Sequence, residues 1–100
     1  MKDEKIIYSI LTEIKKDGRE PMAVDYEISN KEFGKIARII DNRGYLTNVT
    51  VAGTNEYPIV WMKDCLITEK GEEFLKEHNP WHKTYKGLKE IRDWLSALKP

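Results

Sequence analysis

Between residues 3 and 17, apolar side chains fall at Ile6, Ile7, Ile10, Leu11 and Ile14, one stripe of a helix with 3.6 residues per turn. Asp3 suits the start of that helix, Lys15 and Lys16 suit the negative end of its dipole, and Gly18 is placed to end it. From Arg19 to Ile28 the pattern loosens. Pro21 blocks easy continuation, 22–24 reads as a short strand, and 25–28 reads as one helical turn. Ser29 with Glu32 three residues on has the form of a capping box, and Phe33, Ile36, Ala37, Ile39 and Ile40 mark a helix over 30–43 that Gly44 ends. The period then changes to the aromatic and β-branched composition of a strand over 45–51. A loop over 52–58 follows, and a returning strand over 59–66. Thr68 caps a short helix over 69–78 anchored by Phe74 and Leu75, Asn79-Pro80 breaks it, and a last helix is expected over 81–97.

Three helical elements followed by a β-hairpin is the layout of a winged helix-turn-helix, in which the helix before the hairpin is the one offered to a DNA major groove. The expected fold class is therefore α+β: a three-helix core, a β-hairpin wing and two C-terminal helices, filling residues 1–100 as one domain.

On the 30–43 helix, Lys31, Lys35, Arg38 and Asn42 recur at spacings of four, three and four, opposite or beside the core positions. Cations contact phosphates, Arg reads guanine bidentately and Asn reads adenine, so this stripe, extended by Arg43, is the candidate nucleic-acid contact. A lysine-rich exposed face is also the ordinary outer side of a soluble helix. Charge decides part of this. Seventeen basic and seventeen acidic residues give a net charge of zero, which excludes indiscriminate coating of nucleic acid. By segment the balance is +2 over 29–45 and +3 over 81–100, against −2, −1 and −2 over 1–28, 46–65 and 66–80. The cancellation leaves room for a salt-sensitive contact through one helix. The wing is less encouraging, since 52–58 has no cation and carries Glu56.

The last helix presents Trp81, Tyr85, Leu88, Ile91, Trp94, Leu95 and Leu98 as a wide apolar face. Two roles are compatible with it. The face packs back on the first helix to complete the core, and Trp81, Tyr85, Leu88, Trp94 and Leu98 form a partner or homodimer interface; both can hold at once, one face packing inward while a tryptophan edge pairs outward. The second role keeps an alternative function open, a protein-interaction module on a winged-helix scaffold.

Other chemistry has little support. His78 and His82 are separated by Pro80 and join only Cys65, short of a structural zinc set, so no metal is expected. Cys65, the only cysteine, reads as a small buried hydrophobe and permits no internal disulfide. No phosphate-cradling glycine loop, nucleophile elbow or carboxylate pair stands out, so no enzyme, cofactor or small-molecule substrate is expected. No apolar run approaches a membrane span, and no signal peptide is visible, so the expected setting is cytoplasmic without membrane contact.

Several strings carry a family likeness: Asp25-Tyr26-Glu27-Ile28-Ser29 with Phe33, Arg43-Gly44-Tyr45-Leu46, Leu66-Ile67-Thr68-Glu69-Lys70-Gly71, Phe74-Leu75-Lys76-Glu77, and Trp81, Lys83, Tyr85-Lys86 and Leu88-Lys89-Glu90-Ile91. Together they resemble the YjcQ family of small bacterial and phage-encoded proteins over nearly the whole chain. The Leu-Thr-Glu-Lys-Gly-type string is shared by many winged-helix regulators, where the Thr caps the helix after the wing and the Gly permits close packing. The resemblance implies a winged-helix domain, often encoded by phage or prophage, and brings no catalytic residues. The expectation that follows is a phage- or prophage-type regulator contacting double-stranded DNA as a homodimer, whose two recognition helices would meet neighbouring half-sites, with a protein-interaction module that takes a protein partner as the competing use.

Overall fold

The structure, a computed structural model, describes residues 2–16 and 19–97. Its axis is α1 (Lys2–Lys15), a helix buried on two sides. Ile6, Ile7, Ile10 and Leu11 are at most 1 % exposed and enter one core with Phe33, Ile36, Ala37 and Ile40 of α2 (Asn30–Arg43) and Phe74 of α3 (Glu69–Glu77). Burying each such aliphatic side chain contributes about 1.5–3 kcal/mol.

The other side of α1 looks polar in sequence but is covered by the C-terminal segment. The Tyr8 ring is met edge-on by Trp81 at 5.6 Å and Tyr85 at 5.9 Å, and at a tilt by Trp94 at 6.0 Å. Tyr85 Oη donates to Glu13 Oε2 at 2.6 Å. Ser9 must then donate to Tyr85 (2.8 Å), which leaves Tyr26 to donate to Ser9 (2.9 Å). The result is a one-way chain of three hydroxyls ending on a carboxyl oxygen, with each proton placed. Burial raises both Tyr26 and Tyr85 above the ordinary phenol range, and the bond to Glu13 adds to the rise at Tyr85. Lys5 completes this side, donating to the Leu95 carbonyl with its ammonium 5.9 Å from the Trp94 ring centre.

Between α1 and α2 no strand forms at 22–24. Met22 is extended (φ −131°, ψ 162°), but Ala23–Tyr26 is a 3₁₀ turn, and the Asp25 carboxylate accepts the Met22 N–H at 2.7 Å. The turn lies two residues earlier than the expected helical turn over 25–28, and Glu27 at φ 55° closes it. Ser29 then caps α2 by accepting the Glu32 N–H at 3.1 Å, and Gly44 at φ 71° closes it, with the Tyr45 N–H returning to the Ile40 carbonyl.

The hairpin is shorter than its composition suggests. β1 (Thr50–Gly53) pairs antiparallel with β2 (Pro58–Trp61), Thr50 opposite Trp61 and Gly53 opposite Pro58, so the connecting turn is 54–57 and not 52–58. Two left-handed residues truncate the expected strands, Asn48 at φ 59° and Asp64 at φ 61°; outside them only the Leu46–Ile67 bridge pairs. Asn and Asp are the non-glycine residues that tolerate this conformation best. Thr68 caps α3 by accepting the Gly71 N–H at 3.1 Å. A Cβ on Gly71 would collide with the Tyr45 carbonyl oxygen and the Ile67 side chain, so glycine here lets α3 close against the base of the wing.

The single helix expected over 81–97 is broken. α4 (Asn79–Thr84) starts with Pro80 in its first turn and stops at extended Tyr85; Gly87 turns at φ 101°; a 3₁₀ turn (Leu88–Glu90) leads into α5 (Ile91–Ala97). A straight helix over that span would run about 25 Å. The break folds it into two arms, so Tyr85 and Trp94 both reach Tyr8, 5.0 Å apart. The fold is thus mixed α+β, five α-helices and one two-stranded hairpin in a winged-helix-like layout. Three α-helices follow the wing where two were expected, and the middle element of the expected three-helix core is the 3₁₀ turn. Among the described residues no helix is long and apolar enough to cross a membrane.

Candidate nucleic-acid interface

The inward face of α2 is fixed by Phe33, Ile36, Ala37 and Ile40, all at most 6 % exposed. At about 100° per residue, Lys31, Lys35, Arg38 and Asn42 then lie within about 60° of one another on the opposite side. Lys31, Lys35 and Asn42 are exposed and Arg38 is half-buried. The structure therefore brings these four together. Arg43 is exposed too, but sits about 100° round from Asn42, off the stripe.

The wing is held against the first half of this helix. A Cβ on Gly34 would lie 2.5 Å from Pro58 Cγ, so the missing side chain is what lets β2 seat on α2. Where the turn passes Lys31, the ammonium pairs with Glu56 at 2.8 Å, both groups being more than half exposed. Such a pair is worth about 0–1 kcal/mol, but it neutralises the first cation of the stripe and the one anion of the wing together. Lys35, Arg38 and Arg43 have no ion pair with any described residue, so three cations remain open to a ligand. The Lys31–Glu56 pair could not be read from the sequence, because it depends on where the wing lands.

The second candidate surface is placed differently. Trp94 is 5 % exposed, its indole N–H donating to Thr84 Oγ1 at 2.9 Å, and Trp81, Tyr85 and Leu88 are half-buried against the core. Leu98 lies outside the described residues. Most of that aromatic face is spent on α1. The large apolar groups left in the open are elsewhere, with Tyr57, Ile59 and Trp61 on the wing at 82, 50 and 52 % exposed. Pro58 and Val60 alternate with Ile59 and Trp61 and turn inward, so those two occupy the outer side of the wing, while Tyr57 stands exposed in the turn before them. In the sequence Ile59, Val60, Trp61 and Met62 form an unbroken apolar run, so which side chains face out was not legible there.

The remaining reactive side chains have structural partners. His78 Nδ1 lies 2.8 Å from the Phe74 carbonyl oxygen, with its ring between Phe74 and Trp81 at 4.2 and 4.6 Å. Cys65 is 8 % exposed, and burial, aided by the negative charges of Glu20 and Asp64, pushes its thiol up to about 11. Among the described residues no three His, Cys, Asp or Glu side chains gather as a metal ion would need.

Comparison with known proteins fits this architecture. The family described as YjcQ protein matches residues 5–94, from the first turn of α1 to Trp94. The chain belongs to the YjcQ family. It is similar to the protein described as "Uncharacterized protein YjcQ" of Bacillus subtilis (strain 168), 33 % identical over 96 residues that cover 95 % of this chain and 99 % of that relative. The YjcQ match takes in α2, the wing and the aromatic C-terminal segment together, so it covers the whole candidate interface. No solved structure matches the chain.

Proposed function

We propose that this YjcQ-family protein binds double-stranded DNA through the outer face of α2, as a small regulator of the phage or prophage type would. One observation carries the reading: Lys35, Arg38 and Asn42 share the solvent side of a helix whose opposite side is locked in the core, and neither cation has an ion-pair partner among the described residues. Those residue types suit phosphate and base-edge contacts, and the flanking helix and wing hold the stripe rigidly. With few cations engaged, binding is modest and its salt dependence is shallow, with a log–log slope of about 0.9 for each phosphate contacted.

Titration of a labelled duplex at two salt concentrations tests this. Lys35→Ala and Arg38→Ala are each expected to lower the log–log salt slope by about one. Absence of duplex binding at about 50 mM salt overturns the reading. The competing reading, a protein-interaction module, is favoured by the exposed apolar side chains of the wing and not by the C-terminal segment, whose rings are mostly engaged with α1.

A further inference from the structure

The duplex contact just proposed leaves the first cation of the α2 stripe without a task. The Lys31 ammonium is paired with the Glu56 carboxylate of the wing turn at 2.8 Å, and both side chains are more than half exposed, so the pair faces solvent. An exposed ion pair is usually weak, but this one sits on backbone that is held in place. Glu56 belongs to the 54–57 turn, which the Tyr57 N–H closes on Thr54 Oγ1 at 3.0 Å. Gly53, at φ 80° and with no room for a Cβ against the Tyr57 carbonyl oxygen, sets the start of that turn. Pro58, seated on Gly34, sets its end.

Lys31 is the second residue of α2. In a helix-turn-helix protein the first residues of the recognition helix are the ones that reach base edges in the major groove. A duplex lying on the stripe therefore meets Lys31 and Glu56 together, as a donor beside an acceptor. The groove chemistry then limits what each can touch. A phosphate repels a carboxylate, so Glu56 gains only from a hydrogen-bond donor, and the donors on major-groove base edges are the amino groups of cytosine and adenine. Lys31 narrows this further. Guanine presents two acceptors side by side, N7 and O6, and its paired cytosine presents the N4 amino group. Lysine on guanine with glutamate on cytosine uses that whole edge, and the two charges cancel when water leaves. An A·T pair separates its acceptors by the adenine amino group, so it offers the ammonium no such double acceptor.

We infer that Lys31 and Glu56 together read a single G·C base pair, with Glu56 of the wing as the specificity-determining acceptor for cytosine N4. This rests on the DNA-binding reading of α2. At 1.5 Å per residue Lys31 lies roughly 16 Å along the helix from Asn42, at most about five base pairs of 3.4 Å, so the G·C pair marks one edge of the sequence that is read.

The experiment selects duplexes with a randomised centre on the unchanged protein, on Glu56→Ala and on Lys31→Ala, and sequences what is bound. Both residues are exposed, so both variants should keep the urea midpoint of the unchanged protein. The unchanged protein is expected to enrich a G·C pair at one edge of its motif, and each variant to lose that position while keeping the rest. Fluorescence anisotropy on two duplexes that differ only at that pair should show at least about a fivefold preference for G·C over A·T, falling to near one in either variant. Lys35→Ala, which removes a phosphate contact, should weaken both duplexes alike and keep the ratio. A motif without such a position, or binding without any motif, overturns the inference and leaves the duplex reading standing. An A·T pair at that position overturns it too. So does a preference that survives Glu56→Ala while both duplexes bind more tightly, since Glu56 would then act only as a repelling charge. Failure to bind any duplex removes both readings.

Discussion

Trp94 and Trp61 occupy opposite situations in one small domain. Trp94 is 5 % exposed, with Tyr8, Trp81 and Tyr85 around its ring and a hydrogen bond from its indole N–H. Trp61 is 52 % exposed on a two-stranded ribbon, beside Ile59 and two strand positions from it. The C-terminal segment lies against a 14-residue helix that offers it a tyrosine, a serine and a glutamate at matched positions. The wing has a helix behind it, and among the described residues nothing covers Ile59 and Trp61 in front. An aromatic residue is structural or available according to what its element can reach, not according to how many aromatic neighbours it has in sequence. The aromatic-rich C-terminal run is therefore mostly core, and the sparser wing holds the free surface.

Stability should separate the two regions most sharply. Trp94→Ala opens a cavity among three rings and removes the indole hydrogen bond to Thr84, and is expected to cost about 3–5 kcal/mol in urea unfolding. That is a large share of the roughly 5–15 kcal/mol of an ordinary domain. Trp61→Ala should shift the midpoint by no more than about 0.5 kcal/mol. Comparable losses for the two would show that the wing face is covered and would erase the contrast.

Next in size is the seat of the wing. Gly34→Ala places a methyl group where Pro58 now sits, and is expected to cost about 1–3 kcal/mol, as overpacking does elsewhere. A gain in stability, as exposed helical Gly→Ala changes give, would show that β2 does not rest on α2.

How much of this was legible depended on range. Ser29, Gly44, Thr68 and Gly71 mark element ends through bonds and contacts within a few residues, and the helices they bound fall where periodicity puts them. The cation stripe was legible for the same reason, since helical spacing alone places Lys35, Arg38 and Asn42 together. The strands were misplaced because β composition cannot report a left-handed Asn48 or Asp64. The C-terminal break was missed although Gly87 stood at it, because the helical spacing of apolar residues continues across the gap. The outward phase of the wing and the Lys31–Glu56 pair are set by the Gly34–Pro58 contact, between residues 24 positions apart, which no local pattern contains.

Within the C-terminal region, the hydroxyl chain can be cut at one atom. Tyr85→Phe keeps the ring on Tyr8 and Trp94 but removes the donor to Glu13 and the acceptor for Ser9, leaving both half-satisfied beside α1. The expected loss is about 1–3 kcal/mol, set by the desolvated partners more than by the bond itself. A double change with Ser9→Ala should cost less than the sum of the two single changes, because each already breaks the same chain. Full additivity would mean the two hydroxyls act separately.

The smallest effect in free energy reads the wing from the inside. Cys65 follows β2 by four residues and is nearly buried, and its thiol is raised to about 11, mainly by burial. The thiolate is the reactive form, so at pH 8 only about one molecule in a thousand carries it, and a disulfide reagent should label the folded protein far more slowly than a free thiol. The rate should climb about tenfold per pH unit towards 11, because a raised pKa delays ionisation and does not abolish it. Gly34→Ala, which unseats the wing, should speed labelling at pH 8 in conditions where less than one molecule in a thousand is globally unfolded. Trp94→Ala should speed it only in proportion to global unfolding, since its damage lies on the far side of α1. If both changes accelerate labelling in step with their loss of stability, the wing and the C-terminal segment open as one unit, and their difference is one of exposure alone.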